Sequence, residues 1–142
     1  MFGPLVLTTV ASLISFSVMH ADTIPFKTVD RGAQSRIEEP RQVVVRTAAD
    51  WQKLWKEHAL ERPAPTIDFT QSMVVAVFMG YRPTGGYAVE ITAIDKQDSA
   101  VVVTYRERKP QPSDIVTQVI TMPYHLVALN KASGEVRFTR AP

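Results

Sequence analysis

Met73-Val74-Val75-Ala76-Val77-Phe78-Met79-Gly80-Tyr81-Arg82-Pro83-Thr84-Gly85-Gly86-Tyr87 is the stretch whose reading decides the fold. Its first seven residues are apolar without interruption, and three of them are valines. A run of that length predicts a strand buried on both faces. The next eight residues hold three glycines and a proline. Gly80, Gly85 and Gly86 permit backbone angles that other residues avoid, and Pro83 fixes its own. From Tyr87 to Ile94 apolar residues alternate, so a second strand follows. The segment between is a shaped connection of antiparallel strands. Alternatively it is a rigid loop that presents Tyr81, Arg82 and Thr84, on the turn made by Gly85 and Gly86, to a partner. A phosphate loop is not expected, because it needs a helix after the glycines and usually a lysine, whereas a strand follows here.

Upstream, Thr47 to Leu60 carries the one clear helix. Thr47 suits an N-cap, with Asp50 three residues on. Trp51, Leu54, Trp55 and His58 recur at helical spacing and share one face, while Gln52, Lys53, Lys56 and Glu57 cover the other. Pro63 and Pro65 end the helix. Asp68, between Ile67 and Phe69, is placed to accept amide hydrogen bonds in the turn before the buried strand. Before the helix, Gln42 to Arg46 holds three consecutive valines and predicts a strand. Thr23 to Asp30 predicts a short edge strand.

Downstream, Asp95 to Ser99 is a turn and Ala100 to Arg108 a strand. Ile115 to Met122 alternates and predicts another strand. Leu126 to Leu129 and Glu135 to Thr139, around the Asn130-to-Gly134 turn, predict a closing hairpin. The crossovers that parallel pairing requires are missing from this reading. The expected fold is therefore α+β: a mostly antiparallel sheet of six or seven strands packed around one helix, with Trp51, Leu54, Trp55, Asp68, Phe69 and Tyr87 in structural roles.

The 142 residues fit one domain. The first 21 carry no Lys, Arg, Asp or Glu and read as an export leader, leaving a single domain over 22–142 with its core at about 30–139. No later apolar run reaches the length of a membrane span. The expected location is thus periplasmic or secreted, as a soluble chain. Cysteine is absent, which removes disulfides, thiolate catalysis, thiolate metal sites and a lipid anchor at a leader junction. A formal charge of +2 with basic and acidic residues mixed gives no nucleic-acid footprint. No metal-ligand spacing occurs, so no metal or cofactor is expected. His58 and His125 are the imidazoles left after leader removal, and both suit packing or hydrogen-bonding roles. No nucleophile elbow is present.

Several stretches together resemble the PrcB C-terminal domain family. They are Gly32 to Ile37, Asp50 to Trp55, Ile67-Asp68-Phe69, Arg82 to Tyr87, Pro123 to Val127 and Val136-Arg137-Phe138. The resemblance runs from about Asp30 to Phe138. It implies a non-catalytic extracytoplasmic domain that helps a protein partner, such as an envelope protease, to assemble or remain stable. It brings no catalytic residues. Two other readings stay open: a small-ligand domain with a pocket between helix and sheet, and a hydrolase built on His125 and Asp68.

Overall fold

A computed structural model describes residues 22–142, so the expected leader at 1–21 lies outside the described residues. The apolar run becomes β4 (Ser72–Phe78), an inner strand of a sheet ordered β2 (Phe26–Gly32), β7 (Tyr124–Asn130), β4, β3 (Arg41–Val45). A second sheet is ordered β1 (Asp22–Thr23), β5 (Ala88–Gln97), β6 (Ala100–Arg108), β8 (Val136–Arg140). The helix α1 (Ala48–Ala59) covers the face of the first sheet that the second sheet leaves open. Three layers result, and the sheet holding β4 is the middle one.

That layering explains the unbroken apolar run. Met73, Val75 and Val77 turn to the outer sheet and pack with Val89, Ile91, Val101 and Val103. Val74, Ala76 and Phe78 turn to the helix and pack with Trp51, Leu54 and Trp55. The helix begins as expected: the Thr47 hydroxyl accepts the Asp50 amide at 3.2 Å. Both indoles also have polar work. Trp51 Nε1 donates to the Pro65 carbonyl at 3.0 Å and Trp55 Nε1 to the Arg62 carbonyl at 2.7 Å, which pins the proline segment against the helix. Phe69 packs on Trp51, with ring centroids 6.5 Å apart.

The α+β class and the predominance of antiparallel pairing agree with the sequence reading, but among the described residues the strands number eight and form two sheets. Ile115 to Met122 is not a strand. Only Thr121 and Met122 form isolated bridges, and the Ile115 side chain is fully exposed. Nor do the last two strands form a hairpin. β7 enters the central sheet, whereas β8 lies parallel to β6 in the outer one. The crossover that parallel pairing demands does exist, because the chain leaves for the central sheet between β6 and β8. Instead of one sheet wrapped around a helix, the helix rests on one of two stacked sheets.

Two irregularities re-aim side chains. The register of β2 against β7 shifts between Thr28 and Asp30. A bulge reverses the alternation of faces. Thr28 thus looks toward the outer sheet, while Asp30, aligned with Leu126, looks toward the helix. β5 carries a similar shift between Ile91 and Ala93.

Candidate functional site

The connection after β4 is held by backbone bonds on both flanks. Tyr81 N–H donates to the Glu38 carbonyl at 2.8 Å, and Arg82 exchanges two bonds with Thr121, at 2.8 and 2.9 Å. Gly85 N–H donates to the Thr117 carbonyl at 2.9 Å, and the Thr121 hydroxyl to the Thr84 carbonyl at 2.8 Å. The glycines are required here. Gly80 has φ +77°, and a Cβ on it would lie 2.7 Å from Pro40. Gly86 has φ +88°, and a Cβ would lie 2.8 Å from Val116. Segment 110–122 is therefore the clamp for the glycine loop, which is why its apolar residues are not spent in a sheet.

The five loop residues singled out from sequence separate by exposure. Tyr81 is 51% exposed. Arg82 folds back, its Nη2 donating to the Met79 carbonyl at 3.3 Å and its guanidinium lying 5.5 Å from the Tyr87 ring centroid. Thr84 is half-buried, with its hydroxyl on the Gly85 carbonyl, and Gly85 is buried while Gly86 is exposed. Arg82 bridges Thr121, the residue after Val119 and Ile120. Val119 and Ile120 are 52% and 51% exposed, so apolar side chains from both segments face solvent on this end of the molecule.

The two histidines lie on opposite faces of the central sheet. His58, wholly buried, meets Ser35 Oγ through Nδ1 at 2.8 Å and Asp30 Oδ2 through Nε2 at 2.9 Å. Asp30 also accepts from Arg62 at 2.8 Å and from the Tyr124 hydroxyl at 3.1 Å. Burial opposes the ionisation of Asp30, but the hydrogen bonds from Arg62 and His58 outweigh it and hold the carboxyl below its ordinary value. Burial lowers the pKa of His58 against the pull of Asp30, which keeps the ring neutral at neutral pH. The proton then sits on Nε2 and faces the carboxylate. Ser35 Oγ–H donates to Nδ1, and its oxygen accepts the Ile37 amide at 3.1 Å.

Serine, histidine and aspartate thus come together around the His58 ring. The Ser35 oxygen is engaged by both the His58 ring and the Ile37 amide, and the residue is only 5% exposed. The cluster ties the helix to β2 and β7. Asp30, Ser35, Arg62 and Tyr124 were not singled out from sequence, since only the fold assembles residues up to 94 positions apart.

His125 faces the outer sheet. Its Nδ1 accepts the Ile91 amide at 2.8 Å and its Nε2 pairs with the Thr28 hydroxyl at 2.9 Å. Asp68 caps its own turn, accepting the Thr70 amide at 2.9 Å. The two residues of the hydrolase reading are therefore each engaged locally and are not brought together. Beneath the helix the space is filled by Trp51, Leu54 and Trp55, and a cleft of about 220 Å³ opens at its margin, between β3 and Asp50, Lys53, Leu54 and Glu57. No group of three or more potential metal ligands occurs among the described residues. No described helix is long and apolar enough to cross a membrane.

No curated protein and no solved structure matches this chain. A family model does, and its limits fall inside the longer resemblance read from the sequence. Outside them lie the tryptophan helix, Ile67-Asp68-Phe69 and Val136-Arg137-Phe138. From Met73 to Asn130, the stretch that carries the glycine loop and its clamp, the chain matches the PrcB C-terminal family.

Proposed function

We propose that this chain is a non-catalytic accessory module that binds a protein partner through the glycine loop and its clamp. Tyr81, Val119 and Ile120 carry the reading: three large side chains, each about half exposed, on segments fixed by reciprocal backbone bonds. Exposed apolar groups on a rigid loop mark interaction sites, and tyrosine is a frequent anchor in them. Arg82, Thr84, Gly85 and Gly86 shape the surface, with Arg82 braced on Tyr87. The family match supports a protease-associated accessory role, with an envelope protease as the partner class. The charge-free apolar segment 1–21 supports work outside the cytoplasm.

Photocrosslinking in the native host tests this. Benzoylphenylalanine at Tyr81 is expected to capture a discrete protein that the same group at exposed Gln97, on the far end of β5, does not. The adduct should vanish in Ile120→Asp with the melting curve unchanged. No adduct at Tyr81, or one that survives Ile120→Asp, refutes the surface.

A further inference from the structure

Among the described residues the outer edge of β3 has no neighbouring strand, and its geometry favours the backbone of another chain. The β4–β7 ladder continues at its two ends through Lys131 N–H to the Gln71 carbonyl, 3.0 Å, and Met79 N–H to the Pro123 carbonyl, 2.8 Å. Odd-numbered residues of β4 therefore bond β7. Val74, Ala76 and Phe78 turn their amides the other way, to Val45, Val43 and Arg41. By the same alternation Gln42 and Val44 direct both N–H and C=O away from the sheet. No described backbone group bonds them there.

This edge lines a groove. Arg41, Val43, Val44 and Val45 form one side, and Asp50, Lys53, Leu54 and Glu57 of α1 the other, around a cleft of about 220 Å³. Its apolar middle is Val43 against Leu54. Arg41 is neutralised by Glu57 at 2.6 Å, whereas exposed Lys53 makes no ion pair among the described residues. Arg46, just past the strand, is held by the carbonyls of Ala132 and Gly134 at 2.8 and 3.0 Å, without a carboxylate. Asp50 sits in the first turn of the helix, where the amide ends favour its charge.

We infer that β3 takes up an extended segment of another polypeptide as a fifth strand of the central sheet. The segment places an apolar side chain between Val43 and Leu54 and an acidic one against Lys53. A row of free donors and acceptors recognises a β-strand by its main chain, while the groove beside it selects alternate side chains. Lys53, the lining cation without an ion pair among the described residues, sets the preference for acid. This surface shares no residue with the glycine loop or its clamp, and its failure leaves the reading of that loop standing.

The test is a phage-displayed library of random dodecapeptides panned against the full chain, with amide hydrogen exchange on the selected complexes. Free edge amides exchange fast, and strand addition slows them. Selected peptides should protect Gln42 and Val44 at least tenfold, with Arg41, Val43 and Val45 already slow without peptide. They should carry acidic residues beside β-branched ones. Lys53→Glu, on an exposed helix position, should weaken them about tenfold without changing the melt. Failure to enrich any peptide overturns the inference. So does protection that omits Gln42 and Val44, or affinity that is indifferent to Lys53→Glu.

Discussion

Lowering the pH should pull the two sheets apart through His125. The ring is 2% exposed, and its pKa is pushed down to about 4, first by burial and then by the Arg31 charge, with Glu90 opposing. Geometry gives the same direction. Nδ1 accepts the Ile91 amide, so a proton added there would set two N–H groups against each other. In the unfolded chain the imidazole returns to about 6.5. The unfolded state then binds the proton first, so stability is full above pH 6.5 and is lost as the pH falls toward 4. A difference of some 2.5 units corresponds to about 3 kcal/mol. His58, also lowered, adds loss of the same sign, so the contribution of His125 must be isolated by substitution. His125→Asn keeps an acceptor near the Nδ1 position and does not titrate. Urea melts from pH 7.5 to 4 at fixed ionic strength should show the wild type losing about 3 kcal/mol more than the variant. Equal losses in the two proteins would refute the neutral, acceptor role of the ring.

Two further outcomes test the packing and the polar cluster. Trp55→Ala removes a buried ring and its bond to the Arg62 carbonyl. It should cost about 3–5 kcal/mol in a urea titration read by circular dichroism. Asp30→Asn should destabilise by about 2 kcal/mol or more, because it weakens bonds to Arg62, His58 and Tyr124 at once. Because the Asp30 pKa is lowered on folding, its contribution is present above about pH 3.8 and lost below it. The variant and wild type should therefore converge in stability as the pH drops through that range.

Much of this architecture is legible before folding. Seven apolar residues in a row report that β4 has neighbours on both faces, and the tryptophan spacing reports which face of α1 is covered. The alternation in Ile115 to Met122 misleads because Thr and Gln between apolar residues have the period of a strand. Here those backbone groups are spent clamping the glycine loop, and the Ile115, Val119 and Ile120 side chains stay in solvent. Segment order misleads as well: adjacent strands β7 and β8 belong to different sheets. The polar cluster could not be foreseen, since it depends on a bulge of one residue in β2. Regular alternation would point Asp30 away from His58.

The pairing of β2 with β7 also has a consequence in time. Thr28 meets His125 across 97 residues of sequence. At synthesis rates of about 5–20 residues per second, that interval lasts about 5–20 s. Through it β2 has no partner and the central sheet lacks an inner strand. A pairing order so dominated by distant contacts also makes for slow folding once the chain is complete. Lys27, Asp30 and Arg31 space charges along β2 during that wait, and charged residues of this kind discourage pairing with other chains. Asp30, which ties the finished molecule together, thus also helps keep the unfinished one apart from its neighbours.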